Sequence, residues 1–154
     1  MDTQTVELLG RNRLVEQLLE AGLEVALPLR DHGIDLIAYA DRCEPSFVAC
    51  PIQMKAATLK SFGIDRKYEK FPNLIHAFVW GVGAVEEVET YALTHKEAVA
   101  VGHAMGYTCT ASWKAGLYTT SNPSRKLVKL LQQYRMTPPR WLQLVTSLQT
   151  CGGL

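Results

Sequence analysis

Apolar positions recur at helical spacing from Thr3 to Ala21, and Gly22 offers the left-handed position that ends a helix. The pattern then switches to period two: Leu23-Glu24-Val25-Ala26-Leu27 reads as a strand closed by Pro28. Asp31-His32-Gly33 forms a turn, and Ile34 to Tyr39 reads as a second strand, apolar except for Asp35 near its start. Asp41 to Ser46 makes a hairpin loop, and Phe47 to Met54 returns as a third strand. Pro51 removes a ladder donor there, so a bulge or an uncovered edge is expected at that point. Residues 56–73 are polar and basic and predict a surface loop. Leu74 to Trp80 is nearly continuously apolar, the pattern of a strand buried on both faces. Tyr91 to Leu93 is a short strand, and Thr94-His95-Lys96-Glu97 is a capping box opening a helix through Met105 that Gly106 ends. Leu117 to Thr119 predicts another strand; Asn122-Pro123 opens a helix to Arg135, and Thr137-Pro138 a last one to Thr150. The order is α-β-β-β, then a strand and helices, which describes an α/β domain.

The 154 residues match one domain against a common size of about 100–150, with a core over about 3–105 and a basic extension over about 106–154. With 47% hydrophobic and 20% charged residues the composition is that of a folded core and excludes a disordered chain. No apolar run approaches the ~20 residues of a membrane span, and the N-terminus lacks a basic patch followed by an apolar stretch, so a soluble cytoplasmic protein is expected. Cys43, Cys50, Cys109 and Cys151 form no CxxC pair, and four reduced thiols are expected rather than a disulfide or zinc framework.

The net charge of +1 conceals a segregation. Residues 1–54 hold nine acids against four bases, whereas the last 44 residues hold six bases (Lys114, Arg125, Lys126, Lys129, Arg135 and Arg140) and no acid. Residues 55–70 add a second basic group, Lys55, Lys60, Arg66, Lys67 and Lys70, against Asp65 and Glu69. Solvated helix faces normally mix signs, so this distribution points to a polyanionic partner.

Candidate chemistry sits where the central strands meet. Gln53 and Lys55 share one face of their strand by period-two alternation, and antiparallel pairing sets them beside Asp35. Asp35 is a charged hard-oxygen ligand for Mg²⁺, Gln53 and the Met54 backbone carbonyl are neutral ones, and Lys55 is placed to stabilise the nucleophile or the charge developing at phosphorus. At about 100° per residue Glu7 falls on the stripe of Leu14 and Leu18, from which it reaches the sheet edge as a fourth metal ligand. An ion pair with Arg11 at i,i+4 is the alternative account of Glu7.

Gly33-Ile34-Asp35-Leu36-Ile37-Ala38 followed by Ile52-Gln53-Met54-Lys55 resembles the PD-(D/E)XK nuclease superfamily, in its Holliday-junction-resolvase-like and homing-endonuclease-like branches. The likeness covers about residues 3–80. It implies a restriction-endonuclease-like fold, a mixed sheet flanked by helices, and hydrolysis of DNA phosphodiesters with Mg²⁺ or Mn²⁺. By that likeness Asp35 is the metal-binding aspartate, Gln53 takes the place of the motif's second acid, and Lys55 is its lysine. The pattern departs from the family at Gln53, at Pro51, and at Arg11, which stands where many relatives carry a helix glutamate.

Lys60, Arg66, Lys67 and Lys70 are interleaved with Phe62, Tyr68 and Phe71, and Lys114 with Tyr107, Trp113 and Tyr118. Either these groups contact DNA phosphates and sugars, or the aromatics fold their segments onto the sheet. His76 reads as a satisfied core histidine, and His32 as a surface turn residue. Two functions result: a metal-dependent DNA endonuclease, expected as a homodimer or higher symmetric oligomer, or a catalytically degenerate DNA-binding or assembly module of the same fold. Trp141, Leu142, Leu144, Val145 and Leu148 either form the subunit interface or close the core.

Overall fold

The computed structural model describes residues 1–41, 47–84 and 87–148. Of the hairpin loop expected over Asp41 to Ser46, Asp41 belongs to a strand and the rest lies outside the described residues, as do Cys43, Cys151 and the end expected for the last helix at Thr150. Helix α1 (Thr3–Glu20) begins at Asp2, whose carboxylate accepts from the Thr5 amide, and ends before Gly22. Strands β1 (Glu24–Ala26), β2 (Leu36–Asp41) and β3 (Phe47–Ala57) are antiparallel neighbours. Strand β5 (Ile75–Trp80) lies parallel to β3, and β6 (Glu89–Thr94) antiparallel to β5, which completes a five-stranded mixed sheet in the order β1-β2-β3-β5-β6. Parallel strands need a crossover. Here it carries β4 (Phe62–Asp65), which pairs with the distant β7 (Leu117–Thr120) as a separate two-stranded ribbon.

Residues 56–73 are therefore not the surface loop expected from their charge. Ala56 and Ala57 extend β3, Phe62 and Ile64 alternate inward from β4, and Arg66–Lys70 forms a 3₁₀ turn that buries Tyr68. Pro51 causes no bulge: the β2–β3 register runs unbroken past Ile37↔Pro51. Because N–H groups alternate sides along a strand and Met54 donates toward β2, position 51 faces β5, where pairing begins only at Ile52. The missing donor thus falls on an uncovered stretch of edge.

Helix α2 (His95–Ala104) opens with the expected reciprocal capping box of Thr94 and Glu97. The short α3 (Ala111–Lys114) leads into β7. Helix α4 (Arg125–Leu131) starts later than Asn122-Pro123 suggests, because Ser124 is the residue whose side chain accepts from Leu127 N. Helix α5 (Pro138–Ser147) carries proline in its first turn. Its Trp141 and Val145 are fully buried against α1 and β3, Trp141 Nε1 donates to Gln17 Oε1 at 3.1 Å, and the Cys50 thiol donates to the Val145 carbonyl. These residues close the core rather than offering themselves to another subunit. Among the described residues no helix is long and apolar enough to cross a membrane.

The two faces of the sheet carry separate cores. Val48, Cys50, Ile52 and Met54 of β3 face α1 and α5, while Phe78, Trp80, Tyr91 and Leu93 face β4, α2 and α4. Helix α1 approaches β3 so closely at Gly10 that a Cβ there would collide with the Ala56 side chain. Helix propensity favours alanine over glycine by about 1 kcal/mol, but overpacking a core costs about 1–3 kcal/mol and wins here. Gly10→Ala is therefore expected to lower stability in urea unfolding, and adding Ala56→Gly to restore it.

Candidate active site

The site is built where β2 enters the sheet. Asp31 Oδ1 accepts from Gly33 N at 2.8 Å, and Gly33 takes φ 90°, a left-handed conformation that reverses the chain ahead of β2. A side chain at Gly33 would also press on the Tyr68 hydroxyl, 3.1 Å from its Cβ position. Asp35 then continues the ladder, its N–H donating to the Ile52 carbonyl at 2.9 Å. Its Oδ2 accepts from Met54 N at 2.6 Å, a donor that lies beyond the first paired residue of β2. Asp35 thus caps β3 rather than the turn at Gly33.

Asp35, Gln53 and Lys55 occupy the face of the sheet opposite α1, as the period-two reading places them. Burial raises the Asp35 pKa, the Met54 hydrogen bond opposes this, and the charges of Asp31 and Glu7 add to the rise while Arg11 lowers it. Asp35 makes no ion pair among the described residues. Burial lowers the Lys55 pKa, Asp65 opposes this, and Lys67 adds to it. Lys55 has no hydrogen-bond or ion-pair partner among the described residues either, and its ammonium occupies the space over Gly63 of β4 where a Cβ would stand. Gly63→Ala is expected to displace the ammonium, since the lysine tip yields more easily than the backbone. The expected readout is a shifted Lys55 side-chain signal in NMR with an unchanged far-UV circular dichroism spectrum.

Gln53 uses both ends of its amide: Nε2 donates to the Met54 carbonyl at 2.8 Å, and Oε1 lies 3.2 Å from Nδ1 of His76, its register partner on β5. His76 Nε2 in turn lies 3.0 Å from His95 Nδ1, and Tyr68 packs edge-on against the His76 ring. Burial pushes His76 down to about 3, with His95 and Lys55 adding to the fall, and burial also lowers His95. His76 is a satisfied core histidine, as its setting predicts, but it is also bonded to the site. The signal for that is the one polar residue in an otherwise apolar buried strand, which requires a partner.

Glu7 shares the azimuth of Leu14 and Leu18, as the periodicity predicts, but close to the start of α1 its side chain is exposed rather than aimed into the site. Glu7 forms an ion pair with Arg11 at 2.9 Å and reaches Asp35 only through its field. The Arg11 Nε is buried without a hydrogen-bond partner.

The predicted basic residues divide among three settings. Arg66 pairs with Glu69 at 3.5 Å and lies over the Trp113 ring, Lys67 pairs with Asp65 at 3.4 Å and lies over Tyr68, and Lys70 lies over Phe71. Lys67 thereby borders the Lys55 environment. Phe62 and Tyr68 are core residues, which resolves the two readings of that segment in favour of packing for these aromatics, with the lysines left exposed above them. Lys114, Arg125, Lys126 and Lys129 are exposed on α3 and α4, and Lys126 Nζ reaches the Ala104 carbonyl at 3.3 Å. Lys60 lies beyond the end of β3, on a groove lined by Trp80, Glu89 and Arg135.

The oxygen donors here are few. Among the described residues no three His, Cys, Asp or Glu side chains are grouped to hold a metal. Asp35 keeps Oδ1 free of the Met54 bond, and the Met54 carbonyl and Gln53 Oε1 each keep a second lone pair. One carboxylate with neutral oxygens fits Mg²⁺, which usually retains waters and takes phosphate oxygens rather than a full protein cage.

No family model matches the sequence, and no curated protein matches it. Among solved structures, the chain is similar to a bacterial homing endonuclease, I-Ssp6803I, with a TM-score of 0.50 and 14% sequence identity over 97% of this chain and 98% of that one. At that identity the likeness is one of fold, and the mixed sheet flanked by helices is the architecture expected from the sequence.

Proposed function

We propose that this chain is a metal-dependent endonuclease that hydrolyses DNA phosphodiester bonds and carries the PD-(D/E)XK motif in the form Asp35, Gln53, Lys55. The observation that carries the reading is a half-buried carboxylate and a half-buried ammonium on one rim, neither ion-paired among the described residues. Burying unpaired charges costs stability, so their presence together indicates a role outside the fold. The homing-endonuclease description of a structure with this fold supports the same chemistry.

Asp35, the Met54 carbonyl and Gln53 hold Mg²⁺ or Mn²⁺, and Glu7, tied to Arg11, acts on the site through its charge. When bound, the ion supplies Lewis-acid polarisation of the phosphate and activation of water. Lys55 stabilises the negative charge that develops on the phosphoryl oxygens during attack. Arg66, Lys67 and Lys70, exposed beside the rim, contact phosphates and set the register of the duplex, with Lys60, Lys114, Arg125, Lys126 and Lys129 extending the basic surface. A domain of this size cuts both strands of a duplex as a homodimer or higher symmetric oligomer.

The absence of a three-ligand cluster among the described residues favours a second reading, a DNA-binding or assembly module that has lost chemistry. Incubation of plasmid, linear and four-way-junction DNA with Mg²⁺ or Mn²⁺, beside Asp35→Ala and Lys55→Ala, separates the two. Cleavage lost in both variants supports the enzyme. Salt-sensitive binding without cleavage by the parent supports the module, and neither cleavage nor binding overturns both.

A further inference from the structure

We infer that His76, held in one tautomer by His95, is a positioning residue that fixes the Gln53 amide in the site; this rests on the endonuclease reading. The Met54 carbonyl fixes the direction of the first bond, and the directions of the others follow from it for a neutral His76. The Met54 carbonyl only accepts, so the group 2.8 Å from it must be the amide nitrogen of Gln53. The amide oxygen is therefore the atom facing His76, and His76 Nδ1, 3.2 Å away, must carry the proton. A neutral imidazole protonated at Nδ1 has a bare Nε2, which accepts from His95 Nδ1–H at 3.0 Å. His95 is the first residue of α2, anchored by the Thr94–Glu97 capping box, so the outer end of the relay is held by a helix terminus.

The consequence for Gln53 is specific. An amide replacing a carboxylate has two unlike ends, and a flipped amide would aim its nitrogen at His76 and two acceptors at each other beside Met54. The Met54 carbonyl and the His76 Nδ1–H together oppose that flip, so the Gln53 oxygen is held in place with one lone pair unused. The relay ends at His95 Nε2, which is buried and has no hydrogen-bond partner. Its bonding therefore runs one way, from His95 through His76 to Gln53.

Two measurements test this. Nitrogen-15 NMR of the metal-free parent chain should find His76 protonated at Nδ1 and bare at Nε2, with a slowly exchanging Gln53 side-chain amide; the opposite tautomer overturns the inference whether or not the chain cleaves DNA. In plasmid cleavage at saturating Mg²⁺ and DNA, His76→Phe should lower turnover by about 10–100-fold, the cost of removing a residue that orients a metal ligand. The KM for DNA should not change. In a Gln53→Ala background the same substitution should have no further effect, because there is no amide left to position. Equal losses in both backgrounds overturn the inference and mark His76 as a packing residue only. A parent that cleaves nothing overturns the endonuclease reading, and the NMR result then decides the contact alone.

Discussion

Asp35→Asn is expected to abolish cleavage of supercoiled plasmid while leaving the thermal midpoint unchanged or higher. The two halves of this result have one cause. Asp35 is half-buried, its pKa is raised by burial and by the fields of Asp31 and Glu7, and no cation pairs with it among the described residues, so its ionised form opposes folding. Asparagine keeps an oxygen acceptor for Met54 N and removes the charge. Asp35→Leu removes the acceptor too and strands a backbone donor, which costs about 1–3 kcal/mol; that variant is expected to lose both activity and stability. Thermal unfolding of the two variants beside the parent, with plasmid cleavage on the same preparations, checks the pair. A destabilised Asp35→Asn would mean that the carboxylate serves the fold and would remove the main argument for chemistry at this rim.

Acid lability is the second large effect. His76 has its pKa pushed by burial from 6.5 down to about 3, and His95 moves in the same direction. Below 6.5 the unfolded chain protonates His76 while the folded chain does not, so the unfolded state binds more protons and stability falls as the pH falls from 6.5 toward about 3, with His95 contributing in the same direction. The slope for one fully depressed histidine is about 1.4 kcal/mol per pH unit, large against a typical stability of 5–15 kcal/mol. The contribution is fully present above 6.5, where both states are neutral at this position. Urea unfolding of the metal-free chain across this range should show the decline, and His76→Phe should flatten it. A parent midpoint independent of pH between 6.5 and 4 contradicts the buried pair.

Local signals in the sequence translated directly into structure. Gly22 ends α1, Thr94 and Glu97 form their capping box, and the apolar run through Trp80 is the strand with every residue buried. Asp35, Gln53 and Lys55 share a face because alternation and a hairpin are enough to place them. What the sequence hid depends on distant partners. The lysines around Phe62 and Ile64 mask a strand whose partner, β7, begins more than fifty residues later. Periodicity places Glu7 with Leu14 and Leu18 but carries no sign that this end of α1 leaves it exposed and paired with Arg11. His76 meets Gln53 through a parallel register that no local pattern encodes.

The most direct test of the central claim is cleavage of plasmid DNA by the parent and by Lys55→Ala at saturating DNA with Mg²⁺, together with the DNA affinity of each. Loss of a single charge that acts on the developing phosphoryl oxygens is expected to lower turnover by about 10²–10³-fold, with affinity and its salt dependence nearly unchanged. Equal turnover by the two proteins, or cleavage that persists in EDTA, would contradict a metal-dependent site built on Asp35 and Lys55.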